Sequence, residues 1–549
     1  MKIAKSKNNF SLFLLLLAVF ISFFLRVGAV WDNNFAFTMD QGRDLVDIRQ
    51  MVVTLRPRLV GPTTSINGVL LGPAWYYFLL PAFVLGGGNP AAIMLWQIIW
   101  YQLAGVFLWF ALSKINRYLG VITAILFLFM PTGFYVNRYF WNANAMPIFS
   151  AFFFGTLLLA LRQPSRKKLF LTGLVAGLGL QIEAAFGILF FPFAFLCFLN
   201  KFYNDRVIAN PPLWRGMWRS QYVGLLRLKL AMTSLSHFVI GFAATLIPQI
   251  IFELRHGFIM TKVLFSEFTG KAAILGAKIP FDQRIEARYQ ELVRRITQLS
   301  NFHPRWIMMI FVFNIFIGIF ILLRRKKNIA VFSSVSLGFL IFSAVFYLLF
   351  PLPLKNWYVL GISVPLVLII STAASFLLSK NNLILTLAVI LFLVSHVLFA
   401  IKYQTEYIEQ STRPSNDPSN LRNELMAIDW VYAQDAGKGF RAYNYIPSVY
   451  DFNYNYLYWW YGSHKYGYQP AETAYLPDQP EYIRDSPRLW AKAKPADSNS
   501  SVFLIIETDH EVPEREQKWL GHFAFLCLEK EIVYPFGLQI RKMKTCPTN

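Results

Sequence analysis

Thr38-Met39-Asp40-Gln41-Gly42-Arg43-Asp44-Leu45-Val46-Asp47-Ile48-Arg49 places aspartates at i, i+4 and i+7, a spacing that lines three carboxylates along one face if the segment is helical. The segment sits in a charged stretch, Trp31 to Gly72, that also holds Asp32. An apolar run from Phe10 to about Val30 precedes it and another, Val69 to Leu85, follows. The first run is long enough to cross a hydrocarbon core of about 30 Å. A charged helix held between apolar segments reads as a loop at a membrane face, and that places the chain among polytopic membrane proteins.

The rest of the sequence agrees. Of 549 residues 56% are hydrophobic and 15% charged, a balance that excludes an ordinary soluble domain. A formal charge of +22 would suggest a nucleic-acid partner in a soluble chain. Here the basic residues gather in short loops between apolar runs, so they read as topology signals and no nucleic-acid partner is expected.

With Lys2, Lys5 and Lys7 cytoplasmic, the loops Lys114 to Arg117, Arg162 to Lys168, Lys201 to Lys229, Arg324 to Lys327 and, more weakly, Lys380 are placed on the same side. Spans that satisfy this run roughly 10–30, 91–112, 119–136, 146–161, 168–182, 184–200, 233–253, 306–323, 329–350, 358–378 and 382–402, eleven crossings in all. The first is taken as an uncleaved anchor in preference to a signal peptide cut after Val27-Gly28-Ala29. Parity then keeps Val69 to Leu85 from crossing. Gly72-Pro73-Ala74-Trp75-Tyr76-Tyr77 is read as the start of a juxtamembrane or re-entrant helix on the outer face, since Pro suits a first helical turn and Trp/Tyr clusters suit an interface. The span interiors are read as nearly free of ionisable groups, His396 excepted.

The expected fold is thus an all-α membrane domain, residues 1–402, followed by a small extracytoplasmic α/β domain, 403–549. In the latter, Ser501 to Glu507 and Phe523 to Glu529 alternate as strands do. The aromatic run Tyr443 to Tyr468 is expected to form sheet core and packing against the membrane domain, with sugar stacking as the alternative. Cys197 reads as a packing residue, whereas Cys527 and Cys546 can pair only if their domain lies outside the cytoplasm. The expected location is the cell inner or plasma membrane, N-terminus cytoplasmic and C-terminal domain extracytoplasmic.

On the outer face Asp40 is the first candidate for chemistry. A carboxylate there can take the proton of an acceptor hydroxyl as it attacks an anomeric carbon, and a phosphate leaving group needs no proton. Asp44 and Glu183 are candidates for catalysis or acceptor binding; Asp47 is read as a solvated or ion-paired residue. Arg43, Arg138, Arg255, His256 and Lys355 offer cationic contacts for a donor phosphate. The seven histidines and three cysteines show no zinc-ligand spacing. No cofactor is assigned, and a divalent cation held by acidic residues stays open.

Taken together, the acidic first outer loop around Asp40, the Gly-Pro plus aromatic helix at Gly72 to Tyr77, the Arg138 loop and the soluble tail resemble the GT-C glycosyltransferases, specifically the protein O-mannosyltransferase, aminoarabinose transferase and RgtA/B-like group. That resemblance covers roughly residues 1–400. It implies a catalytic base at Asp40, and a polyprenyl-phosphate sugar donor used on the non-cytoplasmic face with a glycan, lipid or protein acceptor. The chain departs from the family at Gln41, where Glu is usual, and at Asn142 and Asn144, where a second acid commonly follows the loop Arg. A transporter or flippase of lipid-linked saccharide is the competing expectation, and a non-catalytic scaffold in envelope assembly a further one.

Overall fold

The computed structural model describes residues 2–209, 217–268, 280–300, 327–350, 354–411, 415–477, 487–497 and 500–546. The expected span 306–323 and parts of the outer loops 254–305 and 351–357 lie outside the described residues. Among the described residues eight helices are long and apolar enough to cross a membrane. The chain is an integral membrane protein.

The first helix, α1 (Lys2–Ala29), leads through a short turn into α2 (Met39–Thr54), α3 (Ala74–Leu85) and α4 (Pro90–Ser113). With 12 residues at 1.5 Å rise, α3 reaches about 18 Å, well short of a bilayer core, which accords with its reading as a helix that does not cross. Its aromatic residues do a different job from the one expected. Trp75 and Tyr76 are fully buried, donating hydrogen bonds to Asp44 (2.7 Å) and Asp47 (2.7 Å) of α2. They lock α3 to α2 instead of floating at lipid head groups.

Two other expectations change in detail. The single segment 119–136 is broken into Arg117–Leu128 and Pro131–Tyr135, since Pro131 starts a new helix and cannot continue the old one. A span interior also holds Arg26, which is fully buried in α1. Its guanidinium donates to the carbonyls of Ser22 (3.1 Å) and Leu128 (2.9 Å) and lies over the rings of Tyr101 and Phe134. Backbone carbonyls and ring faces thus stabilise the cation inside the span.

Helix Leu383–Ser411 runs past the expected boundary at 402 before the chain enters the soluble part. There a five-stranded sheet has the order β2 (Glu472–Ala474), β1 (Arg441–Tyr445), β3 (Val502–Glu507), β5 (Leu538–Thr545), β4 (Leu526–Tyr534). The first three strands are parallel and β5 runs antiparallel to both neighbours. Cys527 and Cys546 are joined as a disulfide at the open end of the β4–β5 hairpin. Much of the aromatic run is buried: Tyr454, Tyr456 and Tyr458 have no exposed surface, and the Tyr456 hydroxyl donates to the Gly88 carbonyl between α3 and α4.

The C-terminal sheet domain packs directly on α2 and on the segment before it. Leu421 N donates to Phe35 O (2.9 Å) and Phe37 N to Ser419 O (2.8 Å), while Gly42 lies against the backbone of Phe452 and Asn453 so closely that a Cβ would sit 2.3 Å from Asn453 N. Only glycine permits that approach. Asn453 in turn donates to Glu424, whose carboxylate is buried with that of Glu507; the latter accepts from Ser419 (2.7 Å) and Tyr454 (2.9 Å). Burial, reinforced by mutual repulsion, raises the proton affinity of Glu424 well above that of an ordinary carboxylate, and burial also raises that of Glu507. Both groups therefore bind protons more tightly folded than unfolded, so their contribution is present at low pH and is lost as pH rises above the ordinary carboxylate range. Glu424→Gln is expected to flatten the decline in melting temperature between pH 6 and 9; an unchanged slope would refute the raised proton affinity of Glu424.

Candidate active site

Thr38 caps α2 from an extended conformation and forms a reciprocal capping box with Gln41. Thr38 N and Oγ1 donate to Gln41 Oε1 (2.9 and 2.6 Å), and Gln41 Nε2 donates to Phe140 O (3.0 Å). Gln41 therefore has a structural task here: it satisfies an orphan amide at the helix start and ties α2 to the 137–145 loop. A glutamate could not donate to Phe140 O while ionised.

That cap aims the positive end of the α2 dipole and the side chains of Asp40 and Arg43 into a cavity of about 530 Å³. Arg43 Nη1 lies 2.8 Å from Asp40 Oδ1, with one third of the Asp40 side chain exposed and Arg43 nearly buried. Arg43 Nη1 also donates to Thr63 Oγ1 at 3.2 Å. Across the cavity stand Trp141, Trp357 and Tyr358, their rings 5.2 and 6.0 Å apart in sequence. Tyr358 is fixed through Ser65 (3.1 Å) and through Tyr347, which donates to the Tyr358 carbonyl (2.7 Å). Such a wall, apolar in face and polar at its edges, suits a sugar ring.

Glu183 lines the same cavity. It caps the short helix Ala184–Gly187, accepting from Ala185 N at 3.2 Å. Burial pushes its carboxyl up to about 7, partly countered by that amide. Asn142 donates to Ile182 O (2.8 Å) and so pins its loop beside Glu183.

Asp44 is buried beneath Arg43, not open to the cavity. Its Oδ1 accepts from Arg43 Nε and Nη2 (3.1 and 2.9 Å) and its Oδ2 from Trp75. Burial pushes this carboxyl up to about 6 against the pull of Arg43. Asp47 pairs with Arg58, leaving Arg49 to bond Asn455 (3.0 Å).

The fold thus brings Asp40, Arg43 and Glu183 to one cavity. Lys355 stands at its margin, 5.0 Å from the Trp357 ring. The other three cations face elsewhere. Arg138 is held over Tyr407 and Tyr403 (3.5 and 5.0 Å) with Gln404, Arg255 is exposed, and His256 stacks on Phe252 and contacts its carbonyl. Arg138 is held by rings and an amide of the helix Leu383–Ser411 and His256 by Phe252 one turn earlier, contacts that loop position in the sequence does not reveal. Thr63, Ser65, Trp357 and Tyr358 were not singled out by the sequence; a Trp-Tyr pair two residues after Lys355 is the signal that could have found two of them. Among the described residues no three His, Cys, Asp or Glu side chains are grouped to hold a metal ion.

No protein-family model and no curated protein matches the sequence. Among solved structures, ArnT from Cupriavidus metallidurans in the apo state superposes with a TM-score of 0.50 at 10% identity, over 98% of each chain. The fold is that of the GT-C glycosyltransferases. The same ArnT bound to undecaprenyl phosphate gives 0.46 at 10% identity over 96% of this chain and 97% of that one. An Archaeoglobus fulgidus oligosaccharyltransferase in complex with Zn and sulfate gives 0.43 at 15% identity, covering 71% of this chain. This chain spans about half, 53%, of the length of the oligosaccharyltransferase.

Proposed function

We propose that the protein transfers a sugar from a polyprenyl-phosphate donor to a hydroxyl on a glycan, lipid or protein, with inversion, at the non-cytoplasmic face of the cell inner or plasma membrane. The observation that carries this is the Asp40–Arg43 pair facing a 530 Å³ cavity from the N-terminus of α2. Asp40 takes the acceptor hydroxyl proton, the acceptor oxygen bonds to the anomeric carbon, and the bond from that carbon to the phosphate oxygen breaks. The electron pair leaves with the polyprenyl phosphate, whose charge Arg43 receives together with the helix terminus. Inversion follows from a single displacement, in which the acceptor oxygen attacks the face of the anomeric carbon opposite the departing phosphate.

Further support comes from the GT-C fold and from the disulfide at Cys527 and Cys546, a bond suited to an oxidising compartment outside the cytoplasm. Lys355, at the cavity margin, is assigned as a second phosphate contact, and Glu183 as a ligand for sugar hydroxyls.

Neutral Glu183 can donate a hydrogen bond, whereas its ionised form repels a donor phosphate. With the carboxyl raised to about 7, donor KM is expected to rise between pH 6 and 8 in the wild type and to stay level in Glu183→Gln. A parallel rise in both proteins would remove Glu183 from the site.

The deciding assay reconstitutes purified protein in liposomes with a polyprenyl-phosphate sugar and a mixture of hydroxyl acceptors. Glycosylated product supports transfer; redistribution of the lipid-linked sugar between leaflets without product would favour a flippase.

A further inference from the structure

We propose that Asp44 is a positioning residue that sets how Arg43 is shared between the base Asp40 and a bound phosphate, with Trp75 of α3 holding it in place; this rests on the donor-phosphate reading of Arg43 above. An arginine presents five N–H donors in one plane. In Arg43 the Nε and Nη2 edge is spent on Asp44, and Nη1 alone reaches Asp40 and Thr63. Were Asp44 absent, the guanidinium could turn both parallel N–H groups onto Asp40, the other carboxylate within reach, in the bidentate geometry that such pairs favour. Asp40 would then be masked as a base and Arg43 withdrawn from the phosphate. Asp44 competes for the cation and leaves Asp40 a single contact.

The competitor is itself immobile. Asp44 is 1% exposed, its second oxygen is taken by the Trp75 indole N–H, and Trp75 is fully buried and stacked on Phe78 at 5.7 Å. Next to it Tyr76 donates to Asp47, so α2 and α3 are joined at two successive residues. Asp44 does not line the cavity and touches no substrate. The charged and titratable groups around it are Arg43, Asp40 and Asp47 on α2 and Tyr76 on α3. Among these Arg43 alone is cationic.

Burial raises the Asp44 carboxyl to about 6, which supplies a readout that a merely structural residue would not move. Below that pH Asp44 is neutral in the wild type and resembles asparagine. The test measures binding of undecaprenyl phosphate to purified wild type, Asp44→Asn and Trp75→Phe from pH 5 to 8. Near pH 8, Asp44→Asn is expected to bind about tenfold more weakly, the weight of one charge-assisted hydrogen bond. That gap should close as pH falls below about 6. The phosphate itself titrates near pH 6, but equally in both proteins, so the difference between them isolates Asp44. Trp75→Phe, which removes only the pinning N–H in a similar shape, should weaken binding in the same direction by a smaller factor. Equal affinity of wild type and Asp44→Asn at pH 8, or a gap that stays constant with pH, would overturn the proposal. If Asp44→Asn does not fold, the same two outcomes are read from Trp75→Phe. Sugar transfer by Asp40→Asn is measured alongside: retained transfer rejects the catalytic reading, while the binding gap separately reads the positioning role.

Discussion

Asp40→Asn is expected to lower sugar transfer by roughly a hundred- to ten-thousand-fold, the range found when a positioned general base is removed, or about 3–5 kcal/mol of barrier at 1.4 kcal/mol per decade. The substitution keeps the shape of the side chain and one acceptor oxygen toward Arg43, and its site is one-third exposed, so the fold is expected to persist. Donor KM should change little, because the base acts on the acceptor proton and the loss appears in turnover. Transfer and melting temperature measured on the same preparation check this. Wild-type turnover in a well-folded Asp40→Asn protein would remove Asp40 from the mechanism.

Arg43→Gln is expected to act on both stability and donor binding. It leaves Asp44 buried without its cation, a loss that typically costs about 3–5 kcal/mol when one partner of a buried pair is removed, reduced here to the extent that Asp44 takes up a proton instead. The melting temperature should fall, and Arg43→Gln combined with Asp44→Asn should recover part of it, since the stranded charge is gone. Donor affinity should fall about tenfold to a hundredfold in both variants, as a charge-assisted contact is missing from each. Recovery of affinity along with stability in the double variant would show that Arg43 serves the fold and not the phosphate.

Much of the scaffold was legible because membrane crossing is written in local composition. Apolar runs, basic loops and their parity identified α1, α4 and the later long helices, and kept α3 from being counted as a span. The breaks were less visible: Pro131 divides one expected span in two, and Arg26 was passed over although it stands in the sequence inside the first. Its partners, Leu128 O and the rings of Tyr101 and Phe134, are a hundred or so residues away or belong to other helices, and no local pattern records them.

The acidic segment Asp40 to Asp47 could be read from its spacing and its setting at a membrane face. What the sequence by itself determined is therefore a polytopic membrane protein with a charged helix after its first span, a small C-terminal sheet domain and a short set of ionisable candidates. The tertiary structure decided which of them share a cavity. Arg138, Arg255 and His256 looked equivalent to Arg43 as cations in outer loops, but Arg138 is drawn to ring faces of a helix far along the chain, His256 stacks on Phe252 one turn before it, and Arg255 is exposed away from the cavity. Asp44 looked equivalent to Asp40 four residues earlier, yet Trp75 and burial turn one into a holder of Arg43 and leave the other open to the cavity. The reason is physical: crossing a bilayer depends on the summed hydrophobicity of one continuous segment, whereas a site depends on a few hydrogen bonds and contacts between segments far apart in the chain.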